Sequence, residues 1–300
     1  MSSRDKVWIV RPGDGETVAD IVRRAGVDTS AIAQGRVFVG RRRVKSSGER
    51  VEAGDQVRIG AEAPKVAPEG DVAILFLEDD LVAVAKPAGI PTVPDHRASS
   101  HALVEVVARK IGKPVAALRI TSRLDRDVSG AVVFALGEEA ERRLKEARAR
   151  GAYARRYVAM AATPEGEEAS EGLWQSPIDD KPSETYFRRV ARAHGGRVSM
   201  LAVDPVTGRT HQIRMHASRA GSPLLGDREY GGPAKLTLPN GRLVELSRIA
   251  LHAARVVVPG RAGRSLVAEA EVPPELARVW SDLGGEADAW HAAVSSPPAQ

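Results

Sequence analysis

The sequence predicts an α+β fold: a mostly antiparallel, multi-stranded sheet with flanking helices, preceded by a small helix–helix–hairpin module. Three observations lead there. After residue 72 many short apolar runs are broken by Gly, Pro and Asp, which is strand-and-turn patterning. Among them HALVEVVARKIG and EEAERRLKEARARG carry helical spacing instead, stopped by Gly112 and Gly151, and the second runs from acids early to bases late. Before residue 61 the pattern differs, with short helices first and a strand pair after them.

The elements follow in order. Thr17, with Asp20 three residues on, has the form of a capping box opening TVADIVRRAG, and Gly26 suits a left-handed close. A second short helix fits Thr29 to Gln34. RVFVG alternates like a strand, and VEAGDQVRI reads as strand, turn at Gly54-Asp55, strand. Residues 61–70, AEAPKVAPEG, have the composition of a linker. The expected domains are therefore 1–62 and 63–285, with 286–300 as a flexible tail. In the larger one AILFLEDDLVAVAKPAG gives two strands joined at Glu78-Asp79-Asp80. AVVFAL, RRYVAMAAT, TYFRRVARA, RVSMLAVD and ARVVVP give further strands, with His194-Gly195-Gly196 as a hairpin turn.

Composition bounds the function. At 300 residues and 43% hydrophobic content the chain can bury a sizeable core. The absence of Cys excludes a disulfide scaffold, a cysteine nucleophile and every thiolate metal site. MSSRDKVWIV lacks the apolar stretch of a secretion signal, and no run approaches the ~18 apolar residues of a membrane span, so a cytoplasmic protein, monomeric and independent of membranes, is expected. Net charge is +5. Of the 44 basic residues 35 are Arg, a bias that genomic base composition can produce, so distribution is more informative than number. Residues 1–60 hold 12 basic and 8 acidic side chains, whereas the remaining 240 hold 32 and 31. Arg36, Arg41, Arg42, Arg43, Lys45 and Arg50 crowd one window opposed only by Glu49. That window is either a solvated hairpin or a face for nucleic-acid phosphates.

Several chemistries are unsupported. The chain has no Gly-rich phosphate loop, no dinucleotide fingerprint and no His-Glu-x-x-His, and His211 and His216 lack a third ligand, so neither cofactor nor metal is expected. What stands out is Ser122-Arg123-Leu124-Asp125-Arg126-Asp127-Val128-Ser129-Gly130, between two apolar runs. By itself it is also readable as a surface ion pair. Gly208-Arg209-Thr210-His211-Gln212-Ile213-Arg214-Met215-His216 opens a helix whose cationic start suits an anion, or is simply capped.

Together with Lys86-Pro87-Ala88-Gly89, these segments resemble the RluA-type family of pseudouridine synthases, and they occur in that family's order. Arg155-Arg156-Tyr157-Val158-Ala159 is similar to its tyrosine-bearing strand. Pro223-Leu224-Leu225-Gly226-Asp227 with Tyr230-Gly231-Gly232, and Ala250-Leu251-His252-Ala253, complete the match over residues 72–258. The first domain resembles the S-four RNA-binding domain. The chain departs from the family pattern in holding Ser122 and Val128 where His and Thr are usual.

The resemblance implies isomerisation of uridine within a structured RNA, ribosomal first and transfer second, without a cofactor. It makes Asp125 the catalyst, with Arg214 paired to it. Tyr157 would stack on the uracil, and Arg123 would occupy the space left by the flipped base or touch the backbone. It also makes Arg36, Arg41, Arg42, Arg43 and Lys45 RNA contacts. Two other classes compete: a catalytically silent RNA-binding or ribosome-assembly protein, and a nucleoside or glycoside hydrolase using Asp125 with Asp127. Asp127 is expected to be directed away from Asp125, and without a facing pair the hydrolase is disfavoured.

Overall fold

The structure is a computed structural model. It describes residues 6–33, 37–40, 42–44, 46–60, 72–78, 80–94, 102–164, 166 and 169–297. The chain divides into two compact units, the first Met1–Val66 with Pro94–Ser99 and the second Ala67–Val93 with Ser100–Gln300. The linker expected at 61–70 lies outside the described residues.

The first unit contains β1 (Lys6–Ile9), α1 (Val18–Arg24), α2 (Ser30–Ala33), β2 (Val37–Val39), β3 (Arg42–Arg43) and β4 (Gln56–Ile59). Thr17 and Asp20 cap α1 reciprocally, as a capping box should. The expected hairpin is instead a four-stranded sheet in the order β1-β4-β2-β3. Two local readings change. The opening segment supplies β1, which is specified by pairing with β4 rather than by its own periodicity, since its side chains are largely exposed. The first arm of VEAGDQVRI is not a strand: Val51 N–H donates to the Glu16 carbonyl (3.1 Å), so this arm is tied to the start of α1. Val18, Ile21, Val22, Val37, Val57 and Ile59 fill the unit's core.

The second unit runs β5 (Ala73–Glu78), β6 (Leu81–Lys86), α3 (Leu103–Lys110), β7 (Leu118–Ile120), β8 (Ser129–Leu136), α4 (Glu138–Ala149), β9 (Ala154–Ala162) and β10 (Glu171–Gln175). It continues with β11 (Glu184–Ala193), β12 (Val198–Pro205), α5 (Gln212–Arg219), β13 (Lys235–Thr237), β14 (Leu243–Glu245), β15 (Leu251–Pro259), β16 (Ser265–Glu269), α6 (Pro274–Asp282) and α7 (Ala289–Ser295). Ten of these strands form one sheet, in the order β10-β11-β12-β9-β15-β8-β6-β5, with β16 on β15 and β7 on β8. The fold is α+β, and every pair in this sheet is antiparallel except β15 with β8.

The central strands read as continuous apolar runs because both faces of the sheet are covered. Tyr157, Ala159 and Ala161 of β9 join Leu201 and Val203 of β12 and Val132 and Phe134 of β8 on one face. Val158 and Met160 turn to the other, where they meet Trp280 of α6 and Trp290 of α7. The tail expected at 286–300 is therefore corrected: α7 is ordered against the core. Its last carbonyls are collected by Arg156, which donates to those of Ala293 and Ser296 (both 2.9 Å) while pairing with Asp204 (2.6 Å). That partner lies far away in sequence, so local composition could not reveal it.

Candidate active site

Asp125 lies on the loop between β7 and β8, and that loop is held from below by the chain that follows β6. Lys86, at the end of β6, is 1% exposed. Its Nζ donates to the carbonyls of Val128 (2.7 Å), Arg126 (3.0 Å) and Pro87 (3.0 Å). Three acceptors match the three protons of an ammonium. Burial draws the Lys86 pKa down to about 7, against the opposing pull of Asp127 and Asp125. Gly89 N–H donates to the Arg126 carbonyl (2.8 Å). Thr92 donates to the Leu124 carbonyl (2.8 Å) and accepts from the Leu124 N–H (3.0 Å). Lys86 and Gly89 thus fix the backbone after Asp125, and Thr92 fixes it before.

The exit of the loop is fixed by the parallel contact of β8 with β15. A Cβ on Gly130 would sit 2.3 Å from the Ala253 carbonyl oxygen, at a φ of +127°, so only glycine permits the approach. Beside it Ser129 Oγ and His252 Nδ1 are 2.9 Å apart, and His252 Nε2 is 3.1 Å from the Ala270 carbonyl. The carbonyl can only accept, so Nε2 carries the proton and Nδ1 accepts from Ser129. Arg248 completes the chain, donating to Ser129 Oγ (3.1 Å) and to Glu275 (2.9 Å). Burial pushes the His252 pKa down to about 4, which keeps the ring neutral in this arrangement.

Arg214 enters from α5. Its guanidinium grips Asp227 bidentately (Nε–Oδ2 2.7 Å, Nη2–Oδ1 2.9 Å), leaving Nη1 for Asp125 (3.1 Å) and Nη2 also for Glu229 (2.7 Å). Arg214 is 5% and Asp227 1% exposed, so the fork is set in a dry environment. Burial alone would lower the Arg214 pKa, but the carboxylates of Asp227, Glu229 and Asp125 outweigh it and keep the cation charged. Asp227 is reachable because of Gly226, where a Cβ would lie 2.1 Å from the Arg248 carbonyl oxygen at a φ of +79°.

The helix itself is pinned from its other side. Gln212 donates to the Glu184 carbonyl (2.8 Å) and to Thr185 Oγ1 (2.9 Å), and its own Oε1 accepts from Thr207 (2.8 Å) and Arg209 N–H (3.0 Å). His216, one turn on, meets Thr185 Oγ1 (2.9 Å) and the Ser176 carbonyl (3.0 Å). His211 precedes the helix in the left-handed region (φ 54°), with Nδ1 2.9 Å from the Tyr230 hydroxyl and Nε2 3.8 Å from Asp125 Oδ2. A left-handed non-glycine residue is thus found beside the carboxylate, where strained backbone tends to cluster.

Tyr157 of β9 is 7% exposed, and its hydroxyl meets no hydrogen-bond partner among the described residues. Burial first, and the nearby charge of Asp125 as well, push its pKa up, so the phenol stays protonated. The structure therefore brings together Asp125, Arg214 and Tyr157. Arg123 is exposed on the same loop. Asp127 is exposed too and forms no ion pair with Arg123 or Arg126; its charge acts instead on Lys86 and Arg248. Of the N-terminal cations, Arg36, Arg41 and Lys45 lie outside the described residues, and the side chain of Arg43 does too. Arg42 pairs with Glu49. Asp227, Glu229, Tyr230 and His211 were not singled out as site residues by sequence; the one available signal was the clustering of Asp227 with Tyr230 among glycines.

The chain is similar in sequence and fold to known proteins. The family model described as RNA pseudouridylate synthase matches residues 80–219. The uncharacterized RNA pseudouridine synthase YhcT of Bacillus subtilis is 34% identical over 248 residues, covering 75% of this chain and 78% of the relative. The chain belongs to the RluA-type RNA pseudouridine synthases. It is accordingly an isomerase that converts uridine to pseudouridine in RNA. The synthase is also 30% identical over 260 residues to the ribosomal large subunit pseudouridine synthase C of Escherichia coli, covering 74% of this chain and 76% of that one. Its fold is that of human RNA pseudouridylate synthase domain containing 4, with a TM-score of 0.57 at 20% identity over 71% of this chain and 93% of that one.

Proposed function

We propose that the synthase acts on ribosomal RNA, with transfer RNA as the second candidate, and that Asp125 is its catalytic residue. The observation that carries the catalytic assignment is the Asp125–Arg214 contact of 3.1 Å: a half-exposed carboxylate is held by a cation that is itself clamped to buried Asp227. A carboxylate so held is a group that can attack carbon or accept a proton. Asp125 is open to a ligand where Asp227 is not. In the reaction the bond from ribose C1′ to N1 of uracil breaks and a bond from C1′ to C5 forms. C5 loses a proton and N1 gains one, so the RNA keeps its composition and mass.

The target nucleotide is read as leaving its stack to reach the site. Tyr157 presents the face of a neutral ring to the uracil, and Arg123, exposed beside Asp125, enters the space vacated in the RNA. The N-terminal unit adds phosphate contacts through Arg36, Arg41, Arg42, Arg43 and Lys45. The ribosomal preference rests on the name and the 30% identity of the Escherichia coli relative. Mapping pseudouridines in total RNA from a strain lacking this chain tests it. Loss of one or a few large-subunit sites, restored by the wild-type chain and not by Asp125→Asn, is the expected result; loss confined to transfer RNA reverses the substrate order.

A further inference from the structure

Two guanidinium groups stand near Tyr157 without a carboxylate to meet them among the described residues. Arg148, near the end of α4, lies over the ring of Tyr153, with its Cζ 4.7 Å from the ring centroid. The Tyr153 hydroxyl is 3.2 Å from Ser122 Oγ, close to the start of the loop that carries Asp125. Arg155 is two residues before Tyr157 on β9, so the two side chains leave the same side of the strand. Its Nη2 donates to the carbonyls of Thr207 (2.7 Å) and Pro205 (3.1 Å), on the approach to α5. Nε and Nη2 of Arg148 and Nε of Arg155 are buried and meet no acceptor among the described residues. Both cations, like Asp125, lie near enough to Tyr157 for their charges to act on its hydroxyl. Burial, then the like charge of Arg155, lowers the Arg148 pKa, and the opposing pull of Tyr153 does not make up the difference.

Buried N–H donors are ordinarily paired, because an unmet donor has given up water and gained nothing. Arg143, Arg156 and Arg214 follow that rule here, each on a carboxylate. Two adjacent guanidiniums with donors to spare, beside a site that handles a polyanion, match an anion with several acceptor oxygens. Building on the assignment of this site to uridine in RNA, we propose that Arg148 and Arg155 seat a backbone phosphate adjoining the target nucleotide. The seat sets the register of the strand over Asp125 and carries no base identity of its own.

Arg148→Met tests this in the full chain, since Met keeps an apolar stem and removes the donors. Arg155 also holds the 205–207 turn and is left intact. The probe is an unmodified transcript of large-subunit ribosomal RNA or of transfer RNA in which the wild type forms pseudouridine. Binding is measured across a salt series. The expected result is an affinity loss of roughly tenfold at low salt and a log–log salt slope shallower by about 0.7, the value for one phosphate on a single strand. Arg148→Lys, which keeps the charge, should recover most of the slope. The melting temperature of Arg148→Met should equal or exceed that of the wild type, because buried N–H donors without acceptors have gone and Met can still pack on the Tyr153 ring. Wild-type affinity and slope in Arg148→Met overturn the seat alone. A lowered melting temperature with a binding loss that Arg148→Lys shares also overturns it, by making Arg148 structural. A wild type that converts no uridine in either transcript overturns the assignment beneath the seat, and the seat with it.

Discussion

At the scale of single residues the site separates a carboxylate that can react from others that position. Asp227 is fully engaged in a buried bidentate pair, whereas Asp125 has, among the described residues, one side-chain donor within hydrogen-bond range and remains partly open. Tyr157 is the second residue whose role is separable by mutation. Stacking on a base needs the ring and is worth roughly 1–3 kcal/mol. Tyr157→Phe is therefore expected to keep most of the single-turnover rate and Tyr157→Ala to lose about that much. Equal losses would give the hydroxyl the main role, and no loss in either would leave Tyr157 a packing residue. Arg214→Lys should fail despite keeping the charge, because an ammonium cannot hold Asp227 bidentately and still reach Asp125. Pseudouridine yield at saturating RNA checks this, and near-wild-type yield would show that charge alone suffices.

At the scale of elements the loop carrying Asp125 depends on contacts from β6, β8 and β15, and the one made by His252 of β15 titrates in acid. The folded His252 pKa of about 4 lies below its ordinary value of 6.5. The unfolded chain therefore binds the proton more readily, and the stability gained is present above 6.5 and lost as pH falls toward 4. At pH 5 the loss is about 2 kcal/mol. Wild type should accordingly lose more melting temperature between pH 7 and pH 5 than His252→Gln, and parallel losses in the two proteins would contradict the buried neutral assignment. The element scale also shows what the sequence disclosed. Apolar runs such as AVVFAL marked the buried strands, the acid-to-base gradient marked α4, and Thr17 with Asp20 marked the start of α1. Less visible were β1, β10 and β16, whose place depends on partners far along the chain, and α7, which Arg156 secures. The site was legible as ordered motifs. Its geometry was not, because the pairing of Arg214 with Asp227 and the support of Asp125 by Lys86 are long-range contacts that no spacing encodes.

At the scale of the whole molecule charge and catalysis are divided unequally. The first 60 residues carry most of the excess positive charge, while every residue proposed for chemistry belongs to the second unit. That unit has its own buried clusters, so deletion of residues 1–62 is expected to leave a cooperatively melting domain. If the N-terminal cations meet phosphates, the truncated chain should bind RNA more weakly and with a flatter salt slope; unchanged affinity and slope would remove the N-terminal unit from RNA recognition. The central claim is narrower and concerns one carboxylate. Asn is nearly isosteric with Asp but its amide is a very poor nucleophile. The most direct measurement is therefore single-turnover pseudouridine formation by wild type, Asp125→Asn and Asp127→Asn on one RNA, with binding and melting temperature followed in parallel. The account predicts that Asp125→Asn forms no product while still folding and binding, and that Asp127→Asn, exposed and outside the Arg214 pair, retains substantial turnover. Activity retained by Asp125→Asn and abolished in Asp127→Asn would contradict it.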